Sequence, residues 1–168
     1  MMETTIAYIG LGSNLNHPVE QIKQARAAIA NLESTQEKRF SSLYRTDPMG
    51  PDQPDYINAV MAVETCLSPE ALLTRLQNIE RDQGRVRRGD RWGPRSLDLD
   101  ILLFGRYCIR TERLTIPHYG IAERAFVLYP LAEIAPPDLL IPGKSLLSDL
   151  LRRCPPEGIQ RLGENDDV

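Results

Sequence analysis

The sequence predicts an α+β fold, a βαββαβ core with a mainly antiparallel sheet and additional helices toward the C-terminus. Two observations carry this. Runs with the period-2 alternation of strands are interleaved with two stretches whose apolar residues recur at helical spacing, and Gly/Pro clusters separate the segments. A chain of 168 residues with 42% hydrophobic content also suits one domain around a buried core.

Thr5 to Ile9 reads as the first strand, and Gly10-Leu11-Gly12-Ser13-Asn14 as a structural turn leaving it. Asn16 is a plausible N-cap with Pro18 in the first helical turn. Val19, Ile22, Ala25, Ala28, Ile29 and Leu32 supply one apolar stripe, so a helix is expected to end near Glu33. Arg39 to Thr46 reads as a second strand. Asp47 to Asp55, rich in Pro, Gly and Asp, can be neither helix nor central strand and is expected as a loop. Tyr56 to Thr65 alternates with two largely apolar faces, which predicts a central third strand.

Ser68-Pro69-Glu70 is a helix start, and Leu72, Leu73, Leu76 and Ile79 form its buried stripe up to Gly84, a natural terminator. Arg85 to Ser96 reads as a polar loop and Leu97 to Phe104 as a fourth strand. This order is the ferredoxin-like plan, in which two helices cover one face of an antiparallel sheet. Beyond it, Tyr107 to Ile109 is a short strand, Ala125 to Ile134 a helix stopped by Pro136-Pro137, and Ser145 to Arg152 a last helical turn or two. One domain is expected over residues 1–154, with a flexible tail over 155–168.

The net charge of −3 gives no global reason to expect nucleic acid or an anionic membrane surface as partner. With no basic segment followed by a long apolar run at the N-terminus, a cytoplasmic protein is expected. The three cysteines, Cys66, Cys108 and Cys154, form no C-x-x-C, so neither a disulfide framework nor a zinc knuckle is indicated.

Chemistry concentrates around Arg91-Trp92-Gly93-Pro94-Arg95-Ser96-Leu97-Asp98-Leu99-Asp100. Asp98 and Asp100 are two apart in an apolar strand, so both carboxylates project from one face. Like charges repel there unless a cation sits between them, and hard Mg²⁺ takes carboxylate oxygens together with substrate phosphates. Arg81, Arg85, Arg87, Arg88, Arg91 and Arg95 make the preceding stretch locally basic, and guanidinium forks match phosphate oxygens. Trp92 in that loop wants a flat partner. Tyr56 and Asn58 share a strand face and could read a flat heterocycle. Ile116-Pro117-His118-Tyr119, between Arg113 and Arg124, collects further donors.

The chain resembles 6-hydroxymethyl-7,8-dihydropterin pyrophosphokinases of folate biosynthesis, on Arg91 to Leu102 together with Gly12-Ser13-Asn14-Leu15, Tyr44-Arg45-Thr46, Asp52 to Asn58 and Pro117-His118-Tyr119. The resemblance implies a ferredoxin-like fold and transfer of the β,γ-pyrophosphoryl group of ATP to the pterin hydroxymethyl oxygen, with AMP leaving. It implies two Mg²⁺ held by Asp98 and Asp100, and a catalytic phosphate clamp at Arg85 and Arg95. ATP contacts are implied at Gln77, Glu80, Trp92, Ile101, Arg113, Thr115, His118, Tyr119 and Arg124. Pterin would stack between Tyr56 and Phe126, with Thr46 and Asn58 at its edge. The 47–55 loop is one residue shorter than in that family, and Arg88 stands where lysine is usual. ATP and the pterin are the partners that the resemblance implies, and a monomer is expected. Two other readings fit the same element order: a Mg-dependent nucleotidyl transferase or cyclase of palm type, and an RNA-binding module. The second is disfavoured by the acidic chain and by the lack of an aromatic RNP pattern.

Overall fold

The computed structural model describes residues 3–14, 17–46, 56–83, 97–156 and 158–162. In chain order the elements are β1 (Thr5–Ser13), α1 (Pro18–Ala30), β2 (Thr35–Phe40), β3 (Tyr44–Thr46), β4 (Tyr56–Thr65), α2 (Pro69–Gln83), β5 (Asp98–Phe104), β6 (Ile109–Arg110), β7 (Thr115–Ile116), α3 (Ala125–Ile134), α4 (Leu147–Arg153) and β8 (Ile159–Arg161). The main sheet runs β5-β1-β4-β3-β8, with β2 also paired to β4. Every pairing in it is antiparallel. With β2 and β3 counted as one interrupted strand, this is the expected βαββαβ arrangement.

Alternation sorts the strand residues between two cores. Ala7, Ile9 and Leu11 of β1 and Ile57, Ala59, Met61 and Val63 of β4 meet the stripes of α1 and α2. Residues of the opposite parity, Tyr8, Val60 and Ala62, meet Val127, Leu128, Leu131 and Ile134 of α3 and Leu147 and Leu150 of α4. The C-terminal helices thus form a third layer on the second face. Fully buried residues such as Leu72, Leu76 and Leu128 each contribute about 1.5–3 kcal/mol by leaving water.

Helix α2 starts as expected, the Ser68 hydroxyl accepting the Ala71 N–H at 3.1 Å. For α1, Asn16 lies outside the described residues, and His17 holds the cap position with a left-handed backbone, φ 62°. The expected strand Arg39 to Thr46 is two strands. Ser41 interrupts them: it is buried, and its hydroxyl accepts the Val60 N–H at 2.9 Å, so a side chain takes over a ladder bond. The short strand expected at Tyr107 to Ile109 lies later, at Ile109–Arg110 (β6), and pairs with β7 in a separate hairpin.

Three further features bear on the site. Gly10 to Ser13 is not a turn but the second half of β1, held between β4 and β5 by the pairs Gly10↔Val60, Gly10↔Asp100, Gly12↔Asn58 and Gly12↔Asp98. Strand β5 carries a bulge, since Tyr8 and Ile9 pair with Leu103 and Ile101 and leave Leu102 extra. The bulge resets parity, so Leu102 and Leu103 both join the second core while Phe104 joins the first. Finally, residues 159–161 of the expected flexible tail form β8 against β3. Leu162 is buried, with its N–H on the Leu43 carbonyl at 2.9 Å. Residues 163–168 lie outside the described residues.

Candidate active site

Beyond the start of α3 none of the described elements covers the second sheet face, and a cleft of about 590 Å³ opens there, within the range of small-molecule sites. Its floor is β1, β4 and β5. Gly10 and Gly12 lie in the floor, and the same-parity residues Tyr56 and Asn58 of β4 and Asp98, Asp100 and Leu102 of β5 rise beside them. The two glycines keep it open. A Cβ on Gly12 would stand 2.9 Å from the Asn58 amide nitrogen, and one on Gly10 would stand 3.4 Å from Leu102 Cδ2.

At one end of the cleft, Thr46 donates its hydroxyl hydrogen to Asn58 Oδ1 at 2.6 Å. That bond orients the amide. Tyr56 lines the same end, its hydroxyl pKa raised first by burial and then by the negative charge of Asp98. Phe126 and Arg124 enter from the start of α3. The Arg124 guanidinium lies 5.7 Å from the Phe126 ring centroid and 5.1 Å from that of Tyr119, a cation–π arrangement that keeps a positive charge at the cleft edge.

At the other end His118 approaches Asp100, Nε2 to Oδ2 at 3.9 Å. Its main-chain N–H is held by the Leu102 carbonyl at 3.0 Å, which ties the β6-β7 exit to the edge of the sheet. Nδ1 accepts the Gly120 N–H at 3.1 Å, so the neutral ring carries its proton on Nε2, facing Asp100. Burial lowers the His118 pKa; Asp100 opposes that shift and Arg124 reinforces it. The ring stacks on Tyr119, centroids 4.6 Å apart, and Tyr119 itself is well exposed.

Other expected residues gather outside this cleft. Arg113 bonds to Glu70 at 2.7 Å and to Gln77 Oε1 at 3.4 Å, so Gln77 and Arg113 meet on the exposed side of α2, with Thr115 exposed in β7. Glu80 accepts the Leu99 N–H at 2.8 Å and fastens α2 to β5 between the two aspartates. Ile101 is buried in the core between the sheet and α1 and α2, so its side chain faces away from the cleft. Arg85, Trp92, Arg95, Arg88 and the loop over 47–55 lie outside the described residues.

The site also contains residues the sequence reading passed over. Leu102 was signalled by sharing parity with Asp98 and Asp100, and Glu123 by standing next to Arg124. Gly158 and Ile159 carried no local signal. Among the described residues no group of three or more His, Cys, Asp or Glu side chains converges on a metal position. Asp98 and Asp100 nonetheless offer hard oxygen donors on one cleft-facing strand edge, a set suited to a cation that completes its shell with phosphate and water. Among the described residues no helix is long and apolar enough to cross a membrane.

The family model described as 7,8-dihydro-6-hydroxymethylpterin-pyrophosphokinase matches residues 8–136, a span that contains most of β1 and all of β4, β5 and α3. The chain belongs to the 7,8-dihydro-6-hydroxymethylpterin-pyrophosphokinase family. Over 148 residues it is 55% identical to the 2-amino-4-hydroxy-6-hydroxymethyldihydropteridine pyrophosphokinase of Haemophilus influenzae, covering 88% of this chain and 91% of that one. Over 156 residues it is 54% identical to the enzyme of the same name from Pseudomonas aeruginosa, covering 92% and 95%. The fold is also that of Plasmodium falciparum HPPK-DHPS in its crystal structure with pteroate. The TM-score is 0.71 at 14% identity, over 91% of this chain and 43% of that longer one. Pyrophosphokinase membership sets aside the palm-type and RNA-binding readings.

Proposed function

We infer that the chain transfers the pyrophosphoryl group of ATP to 6-hydroxymethyl-7,8-dihydropterin, releasing AMP and the pterin diphosphate for folate biosynthesis. One observation carries the placement of the two substrates: the Asp98/Asp100 edge and the Thr46-Asn58-Tyr56 set open into a single cleft. A phosphate chain at the first then lies beside a flat acceptor at the second.

In this reading the acceptor slides between the rings of Tyr56 and Phe126, and the oriented Asn58 amide and the Thr46 hydroxyl read its polar edge. Gln77, Arg113 and Thr115 receive the nucleoside end of ATP, the main chain at Ile101 lies beside it, and Glu80 holds β5 against α2. His118, Tyr119 and Arg124 border the phosphates, where the Arg124 cation and the neutral Nε2–H of His118 offset their charge. Arg85 and Arg95 clamp the phosphates and Trp92 covers them, as the family resemblance implies. Asp98 and Asp100 would hold two Mg²⁺, which when bound supply charge neutralisation to the triphosphate and to the departing α-phosphate. The acceptor hydroxymethyl oxygen bonds to the β-phosphorus, the bond from that phosphorus to the α,β-bridging oxygen breaks, and AMP takes the electron pair. The hydroxymethyl proton leaves to solvent or to a cleft carboxylate. Rate comes from holding attacking and leaving oxygens in line while excluding water. In this scheme the chain acts as a monomer.

Incubation of the purified protein with Mg-ATP and the hydroxymethyl dihydropterin, followed by product analysis, is expected to give AMP and the pterin diphosphate in equal amounts. Formation of ADP, or release of free pyrophosphate, would refute the assignment.

A further inference from the structure

Strand β8 enters the cleft from a part of the chain beyond residues 8–136, which the family model matches. Ile159 pairs directly with Thr46, and Thr46 pairs with Tyr56. Residues opposite one another in antiparallel strands project from the same face. Ile159, Thr46 and Tyr56 therefore form one lateral row facing the cleft, and all three line it. The row spans two strand spacings, about 10 Å, so Ile159 stands at its far end, where it is half-buried with an apolar side chain and no partner role in either core.

Two features aim β8 at the cleft. Gly158, at φ 77°, makes the turn into the strand in a conformation that L side chains rarely adopt. In the next row along the same face, Arg161 pairs with Tyr44 and Tyr44 with the cleft residue Asn58. There Arg161 Nε lies 3.6 Å from Glu133 of α3 and donates to Ser42 Oγ at 3.0 Å. Glu133 in turn accepts the Ser42 N–H at 2.7 Å and the Tyr44 hydroxyl hydrogen. One carboxylate thus joins β3, β8 and α3, and those are the elements that carry Thr46, Ile159 and Phe126.

We propose that β8 is the third wall of the acceptor pocket. Ile159 is a specificity-determining apolar contact for the pterin, and Arg161 with Glu133 forms a positioning cluster that sets its place. The proposal rests on the reading that the pterin occupies the Tyr56/Asn58 end of the cleft.

The test measures the affinity of 6-hydroxymethylpterin in the presence of an unreactive Mg-ATP analogue, and the steady-state constants for both substrates. Ile159→Ala is expected to weaken pterin binding and raise its KM about tenfold, within the range seen when a pocket loses methylene groups. The ATP KM stays at the wild-type value, and Ile159→Val stays within about twofold for both substrates. Ile159→Trp, which fills the cleft mouth, weakens the pterin more than Ile159→Ala does. Arg161→Ala raises the pterin KM while kcat holds, and Arg161→Lys restores it. Asn58→Ala serves as the reference variant. Wild-type pterin affinity in both Ile159→Ala and Ile159→Trp, alongside weakened binding in Asn58→Ala, overturns the role of β8 and leaves the acceptor site standing. Unchanged binding in Asn58→Ala as well overturns the acceptor reading itself.

Discussion

Replacing Gly12 by alanine separates the fold from acceptor recognition. The new methyl carbon would lie 2.9 Å from the Asn58 amide nitrogen, closer than carbon and nitrogen pack, and β1 is held on both sides by β4 and β5. The amide has to give way. It is tethered through Oδ1 to the Thr46 hydroxyl at 2.6 Å, so a swing large enough to relieve the contact breaks that bond, at about 0.5–1.5 kcal/mol. Against this, exchanging Gly for Ala at an extended position restricts the unfolded chain and stabilises by about 0.4–1 kcal/mol. The two nearly offset, so the melting temperature should move by only a few degrees. Binding has no such offset. An acceptor edge facing a displaced amide leaves polar groups unpaired, about 1–3 kcal/mol, or about 5- to 150-fold in Kd. Calorimetric titration with 6-hydroxymethylpterin in the presence of an ATP analogue, beside a thermal melt, reads both quantities. Wild-type pterin affinity in a folded Gly12→Ala protein would refute the claim that the glycine exists to seat Asn58.

Three other perturbations have defined outcomes. Asp98→Asn and Asp100→Asn should each reduce kcat by about 10²–10³-fold with the fold intact by circular dichroism, and turnover near wild type in either would contradict their placement at the phosphates. Leu162→Ala should cost about 2–5 kcal/mol in urea unfolding because its side chain is buried in the core shared with α1 and α2, whereas a flexible tail would show no change. Burial and the bond to Glu133 raise the Tyr44 pKa above its ordinary value of about 10. The folded state therefore keeps a proton that the unfolded state gives up, and Tyr44 contributes stability that is complete below about pH 10 and is lost as the pH rises beyond it. Tyr44→Phe should flatten the alkaline loss of stability in denaturant titrations above that pH, and an unaltered slope would argue against the bond.

Much of the site was legible because it depends on local periodicity. Asp98 and Asp100 share a face in any extended strand, as do Tyr56 and Asn58, and the Ser68-Pro69-Glu70 start fixes where the stripe of α2 begins. Less legible were contacts between distant segments. Nothing near Arg113 announces that its guanidinium meets Glu70 and Gln77. Nor does anything near Leu103 show which side of β5 its side chain takes once a bulge at Leu102 resets the alternation.

The sequence alone determined the βαββαβ order, the two helix stripes and the carboxylate pair, since periods of 2 and 3.6 residues are properties of a single segment. Only tertiary structure decided that Gly10 to Ser13 continue a strand, because their hydrogen bonds come from β4 and β5. It alone brought residues 159–161 out of a polar C-terminal stretch into the cleft wall, because the β3 edge that pairs with them lies more than a hundred residues earlier in the chain. Punctuation by glycine and proline marks where a chain can turn; whether it does depends on what stands beside it.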